Sequence, residues 1–325
     1  MPPKKILIFR TDRMGDVLLN LPLINCLKEH YAPCHLTIVA KRELSGLLSL
    51  NTDIDDIIPF DEDMEGRSAF SNIAFASGLK KRRFDLAVVS NPSKALHIIS
   101  FLAGIPRRVG YRRKWDFLLT DTIEDKKSEG SKHEVEYNLD LARALGIEPK
   151  EARFSLSPLE EDTKEVERIL HGYGIKDPGR LILLHPHSSN PVKIWPRERF
   201  AALSDKIREE AGFTVGVIGG EGEAALTDDL IMAMRHKALN LCGRFSLRQL
   251  PALFKKARLL VSNDSGPNHV AAAVGMPVVA LFGGRDTGTA PGRWAPYGNG
   301  HRVIWKDRLD SITVDEAFEA AIVLR

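Results

Sequence analysis

Asp16 sits in the stretch RTDRMGDVLLNLP, from Arg10 to Pro22, directly after the short apolar run Ile6 to Phe9. A carboxylate there can do one of two things: favour the start of a helix through the helix dipole, or accept a proton as a general base. The stretch HPHSSNPVKIWPRERF, from His185 to Phe200, follows another apolar run. In it Ser188 and Ser189 offer hydroxyls and Lys193 a positive charge suited to a diphosphate. The serines may equally serve as turn residues, with Trp195 and Pro196 packing at the start of the next helix. In GGEGE, Gly219 to Glu223, the Glu223 carboxylate can take hydrogen bonds from ribose hydroxyls or simply favour its helix start.

The most informative segment is LLVSNDSGPNHVAAAVGMPVVALFGG, Leu259 to Gly284, which reads as strand, polar turn, small-residue helix and strand. Asp264, Ser265 and Gly266 fall where free backbone N–H groups and the positive end of the helix dipole converge, a phosphate-site architecture. Capping by Asp264 or Ser265 would explain the same residues without a ligand. His269 follows a few positions on, either facing the turn or structural. A P-loop pattern is missing, as is a GxGxxG fingerprint after the first strand, which disfavours a P-loop nucleotidase and an NAD-dependent dehydrogenase.

The elements that must position these residues follow from the pattern of apolar runs. Strands are expected at Ile6–Phe9, Leu36–Val39, Ile57–Phe60 and Leu86–Val89, then at Leu181–Leu184, Val215–Ile218, Leu259–Val261 and Val278–Phe282. Helices are expected at Val17–Glu29, Ala69–Lys80, Lys94–Ala103, Arg199–Glu210, Glu223–Arg235, Leu247–Lys256 and Gly266–Val274. A capping box at Ser246 and Gln249 would start the penultimate one. This alternation is α/β, two Rossmann-like domains in tandem. The boundary falls between Gly146 and Pro158, giving domains 1–155 and 156–325. The last amphipathic segment, Val314–Leu324, is a candidate to pack back on the first half.

The 325 residues are 43% hydrophobic and 27% charged, which places the chain among ordinary globular proteins and suits two domains. No apolar run reaches membrane-spanning length and the start lacks a signal-peptide pattern, so a cytoplasmic location is expected. Three scattered cysteines, Cys26, Cys34 and Cys242, form no CxxC pair and are expected to be buried thiols; no metal cluster stands out. A net charge of +3 is too small to argue for nucleic acid. The basic residues do cluster, at Lys80–Arg83 and at Arg107, Arg108, Arg112, Arg113 and Lys114. Such runs are a solvated face or a surface for an anionic substrate or membrane headgroups.

Taken in order, RTDRMGDVLLNLP, HPHSSNPVKIWPRERF, GGEGE, CGRFSLRQL and SNDSGPNHVAAAVGMPVVALFG resemble the bacterial heptosyltransferases of glycosyltransferase family 9, over nearly the whole chain. The resemblance implies a GT-B fold, two Rossmann-like domains facing each other across a cleft. It also implies an inverting, metal-independent transfer of heptose from ADP-heptose to the lipopolysaccharide inner core, at the inner face of the cytoplasmic membrane. Carried over by position, it makes Asp16 the base, Ser188, Ser189 and Lys193 phosphate contacts, Glu223 the ribose contact and Phe245 the neighbour of adenine. Asp264, Ser265, Gly266 and His269 become the donor-site turn. Arg13, Lys94, Arg107, Arg108, Arg112 and Arg113 are then candidate acceptor contacts, and no cofactor or metal is expected. The segment Leu281–Gly298 is longer and richer in arginine than is usual for the family, which leaves the donor sugar open. Two other readings remain: the same fold using another nucleotide sugar, with a different glycan or a protein as acceptor, and a non-catalytic nucleotide-sugar binding protein.

Overall fold

The computed structural model describes residues 2–60, 69–286 and 288–324, and divides into two compact units, Met1–Ser155 and Leu156–Arg325. In the first unit the order is β1 (Lys5–Phe9), α1 (Met14–Leu18), α2 (Leu21–Tyr31), β2 (His35–Lys41), α3 (Ser45–Leu48), β3 (Asp56–Phe60), α4 (Ala69–Arg82), β4 (Leu86–Val89), α5 (Lys94–Leu102), β5 (Arg107–Arg112), β6 (Asp121–Glu124) and α6 (Glu134–Ala144). The second continues with α7 (Glu160–Gly172), β7 (Leu181–His185), α8 (Arg197–Ala211), β8 (Thr214–Val217), α9 (Ala224–Met232), β9 (Leu239–Asn240), α10 (Leu250–Lys256), β10 (Leu259–Asn263), α11 (Gly266–Ala273), β11 (Val278–Gly283), α12 (Pro291–Trp294), β12 (Arg302–Lys306) and α13 (Val314–Val323).

Each unit holds one six-stranded, wholly parallel sheet, in the orders β3-β2-β1-β4-β5-β6 and β12-β11-β10-β7-β8-β9. Counted from its own first strand, each sheet has the order 3-2-1-4-5-6, the doubly wound arrangement. The strand order therefore reverses between β1 and β4 in one unit and between β7 and β10 in the other. Ligands of such sheets bind at the carboxyl ends of the strands flanking that reversal. The central strands are buried on both faces, which is why Ile6–Phe9, Leu86–Val89 and Leu259–Val261 are unbroken apolar runs.

The structure departs from the expected elements where local chemistry overrules periodicity. The single helix expected over Val17–Glu29 is two, α1 and α2, because Pro22 lacks an N–H and fits only the first turn of a helix, so a new helix starts at Leu21. Strands β5, β6, β9 and β12 were not expected. Only Val109–Tyr111 is buried in β5, and β6 and β12 are sheet edges with partly exposed residues. Gln249 Oε1 accepts from Ser246 N at 2.9 Å, but the Ser246 hydroxyl points to that same oxygen, so the box is incomplete and α10 starts only at Leu250.

The final helix, α13, packs on α8, and Ala317 and Ala321 belong to the second unit's own core. Cys242 is buried, whereas Cys26 and Cys34 are only partly so, correcting the expectation of three buried thiols. Among the described residues, no helix is long and apolar enough to cross a membrane.

Candidate active site

At the reversal of the first sheet, β1 ends in Phe9 and the chain continues into Arg10, a buried arginine whose whole donor fork is used. Its Nε donates to Asp12 Oδ1 at 2.8 Å, and Nη2 donates to Asp16 Oδ1 at 2.9 Å and to Glu134 Oε1 at 3.4 Å. Nη1 donates to the Ser90 carbonyl, just past β4, at 3.1 Å and to Asn138 Oδ1 at 3.2 Å. Lys127, also buried, donates to Glu134 Oε1 at 2.6 Å and to Asn138 at 3.2 Å. Two cations and three carboxylates thus share one hydrogen-bonded cluster. Burial opposes the Arg10 charge, but Asp12, Asp16 and Glu134 outweigh it and its pKa lies above the ordinary value. Burial pushes the Asp12 carboxyl up to about 6; the Arg10 charge opposes this and the Asp16 charge adds to it.

Asp16 is in the first turn of α1, partly exposed, and among the described residues nothing hydrogen-bonds its second oxygen. One oxygen is fixed and the other is available to a ligand. Arg13 is exposed at the N-cap of α1. Lys94 opens α5 beside the same sheet edge, with its ammonium 4.6 Å from the Trp115 ring centre.

The basic run of β5 is split by the strand's direction. Arg107 and Arg108 lie at its amino end, away from the ligand edge, where Arg107 pairs with Asp121 at 3.2 Å and Arg108 Nε donates to the Leu118 carbonyl at 2.7 Å. Their expected place among the acceptor contacts is corrected by that position. Arg112 and Arg113 are at the carboxyl end; Arg112 is exposed and Arg113 is paired with Asp125.

At the reversal of the second sheet, the loops after β7 and β10 are tied together by side chains. Asn263, fully buried, accepts from Trp195 N at 2.9 Å and donates to the Pro186 carbonyl at 2.8 Å, while Asn268 Nδ2 donates to the Asn263 carbonyl at 2.8 Å. Lys193 reaches across to form an ion pair with Asp264. Ser265 is the N-cap of α11 by backbone geometry, but its hydroxyl makes no capping bond. It lies 2.9 Å from Ser262 Oγ and 3.2 Å from His185 Nδ1. The Ser265 side chain therefore does not cap α11, and Gly266 opens its first turn. Asp264, Ser265, Gly266 and Lys193 are brought together, with Ser188 half-buried and Ser189 exposed on the same β7 loop. His269 is buried on α11.

The edge continues outward without a break. His187 Nε2 lies 2.9 Å from Thr227 Oγ1, which lies 3.0 Å from Cys242 Sγ. Burial pushes His185 down to about 3, with the neighbouring His187 adding to it, and pushes Cys242 up to about 11. Both are uncharged at neutral pH, as fits a hydrogen-bonding role. Glu223 Oε2 accepts from Gly220 N at 2.7 Å, and a Cβ on Gly219 would lie 2.9 Å from both Cys242 Sγ and His187 Cδ2, which are buried, so the close packing here favours glycine. Gly243 N donates to the Gly219 carbonyl at 3.0 Å, which joins this loop to the turn carrying half-buried Phe245.

The arginine-rich segment after β11 is a tied turn: Trp294 Nε1 donates to the Gly288 carbonyl at 2.8 Å, Arg293 stacks 4.6 Å over the Trp294 ring, and Arg285 pairs with Asp307; Thr287 lies outside the described residues. Among the described residues, no group of three or more His, Cys, Asp or Glu is arranged to hold a metal ion.

Three kinds of comparison agree on what this chain is similar to. The sequence model of glycosyltransferase family 9 (heptosyltransferase) matches residues 73–320. The chain is 26% identical over 313 residues to the lipopolysaccharide core heptosyltransferase OpsX of Haemophilus influenzae, covering 93% of this chain and 84% of that protein. It is 26% identical over 289 residues to lipopolysaccharide heptosyltransferase 2 of Escherichia coli, covering 86% and 82%. Its fold matches the crystal structure of a family 9 glycosyl transferase from Veillonella parvula with a TM-score of 0.88 at 23% identity, over 99% of this chain and 97% of that one. It matches the E. coli ADP-heptose lipopolysaccharide heptosyltransferase II with a TM-score of 0.83 at 25% identity, over 98% of each.

Proposed function

As the chain belongs to glycosyltransferase family 9, the heptosyltransferases, and so is a glycosyltransferase of GT-B fold, we propose that it moves heptose from ADP-heptose to a lipopolysaccharide inner-core acceptor, with inversion and without a metal. The reaction runs at the cytoplasmic face of the membrane that carries the acceptor lipid. The observation that carries the reading is the pair of sheet edges, one bearing a carboxylate with one oxygen held and the other available, the other a helix N-terminus that its N-cap serine does not cap, beside a lysine.

In this reading the acceptor hydroxyl oxygen bonds to the anomeric carbon as the bond from that carbon to the diphosphate oxygen breaks. ADP departs with the electron pair, and the hydroxyl proton passes to the available oxygen of Asp16. Arg10 holds the carboxylate in place by its other oxygen. Lys193 and the backbone N–H groups of Ser265 and Gly266 take up the negative charge growing on the diphosphate, as preorganised donors do. The ion pair with Asp264 keeps Lys193 aimed at that edge before the donor arrives. Glu223 takes the ribose hydroxyls and Phe245 lies against the adenine, with Ser188 and Ser189 as further phosphate donors. The requirement on the reading is that Asp16 and the anomeric carbon come within reach of one hydroxyl.

A different donor sugar is favoured by one observation, the tied arginine-bearing turn at 285–298. The deciding experiment offers the purified protein ADP-heptose, ADP-glucose, GDP- and UDP-sugars, each with truncated core acceptors and with EDTA present, and reads products by mass spectrometry and anomeric NMR. A heptosylated core of inverted configuration, formed in EDTA, is expected. A product from another donor alone replaces the substrate assignment, and binding without product from any donor removes the catalytic reading.

A further inference from the structure

Several large apolar side chains of the first unit stand exposed together on a frame that holds them there. Phe101 and Leu102 close α5 at 48% and 42% exposure, and the turn that packs on α5 presents Trp115 at 42% and Phe117 at 75%, with their rings 5.6 Å apart. This turn is anchored firmly. Trp115 takes a left-handed backbone conformation, φ 67°, and Leu119 is buried so close to Gly110 that a Cβ there would lie 2.9 Å from it. His97, buried and uncharged, lies with Nδ1 3.2 Å from the Lys114 carbonyl. Arg108 binds the Leu118 carbonyl from the other side.

Cations accompany two of the three aromatic rings of this ledge. Lys94 lies over Trp115, Arg108 lies 5.5 Å from the Phe101 ring centre, and Arg112 and Lys114 are exposed beside the turn. From Phe101 to Thr120 the sequence has five basic residues and one acidic one, Asp116. A protein-binding patch is depleted of charge at its core. Exposed aromatics intermixed with lysine and arginine are instead the composition of a surface lying at lipid headgroups, where Trp prefers to be and each cation meets anionic phosphate.

We propose that the ledge formed by α5 and the Trp115–Phe117 turn docks the protein on an anionic lipid bilayer. Trp115, Phe117, Phe101 and Leu102 enter the headgroup layer, and Lys94, Arg108, Arg112 and Lys114 face the phosphates. This rests on the preceding reading only for its purpose, since a lipid-borne acceptor has to be met at a membrane. The binding itself needs neither donor nor acceptor.

The test is sedimentation of the full chain with vesicles of phosphatidylcholine alone or with 30% phosphatidylglycerol, free of lipopolysaccharide. Binding to the anionic vesicles only is expected, with a loss of tenfold or more in Phe101→Ser/Phe117→Ser and about fivefold for each of Arg112→Gln and Lys114→Gln. In the unaltered protein, brominated lipid should quench tryptophan fluorescence, and Trp115→Phe should abolish most of that quenching, a readout that does not depend on the double variant folding. Absence of binding to anionic vesicles, or equal binding by a folded double variant, overturns the proposal. So does light scattering that shows a dimer dissolved by the same substitutions, which would make a second copy the occupant. Because no sugar is present, a negative result leaves the transferase reading standing, and vesicle binding without any glycosyl transfer leaves the ledge while removing that function.

Discussion

The two units use one strand order to build two different kinds of edge. Around the reversal of the first sheet the polar groups are charged, with buried Arg10 and Lys127 set against buried Glu134 and the partly exposed Asp12 and Asp16. Around the reversal of the second they are mainly neutral: Ser262, Ser265, Asn263, Asn268, His185 and His187, with the Lys193–Asp264 pair at the rim. A buried ionic cluster is costly to assemble and suits holding one carboxylate in a fixed place. A mainly neutral edge with a helix N-terminus that its N-cap serine does not cap suits an incoming anion. Under the proposed function, the same scaffold serves a proton at one edge and a phosphate at the other.

Substitutions can break this contrast, beginning with the most severe. Asp16→Asn should lower turnover by two to four orders of magnitude while ADP affinity, read by calorimetry, stays within about twofold; near-normal turnover would end the assignment of the base to the first edge. Arg10→Met removes the hub and leaves three carboxylates facing each other, so the first unit should lose about 3–5 kcal/mol in urea unfolding. A loss below about 1 kcal/mol would mean that the cluster is not held by this residue.

Lys193→Ala should weaken ADP binding by about ten- to a hundredfold, because a charge-assisted contact is lost and Asp264 stands at the phosphate edge without this cation. Unchanged affinity would return the lysine to a purely structural pairing. The smallest effect is a pH dependence confined to the first edge. The folded-state pKa of Asp12 lies above its unfolded value, so its contribution favours folding at low pH and is lost as pH rises through about 6. Between pH 4 and pH 7 the protein should therefore lose about 1–3 kcal/mol relative to Asp12→Asn. Parallel stability profiles would show that Asp12 is not perturbed.

What was legible in the sequence was local. Asp16, Lys193, Asp264, Ser265 and Gly266 each lie between an apolar strand and the body of the helix that follows it, and that junction is visible along the chain. The partners that define the first edge were not, because Glu134 and Asn138 come from a helix more than a hundred residues past Arg10, and Lys127 from a turn just before it. The available signal was Arg10 itself, a charge placed at once after a fully buried strand. In the second unit Asn263 and Asn268 were passed over for the same reason, since an asparagine reads as a turn residue until its partners on the neighbouring loop are known. Strands β5 and β6 escaped because their apolar runs are short, and α2 was merged with α1 because hydrophobic spacing continues across the break at Pro22.

That break also bears on how position 10 can change over evolutionary time. A helix of five residues, as α1 is, sums few peptide dipoles, and the side chain that holds Asp16 in place is Arg10, at 2.9 Å. A backbone field survives any substitution, whereas an arginine is lost by a single codon change. Under the proposed function, selection for a folded first unit and selection for a working base therefore act on the same codon, and drift at position 10 is constrained twice.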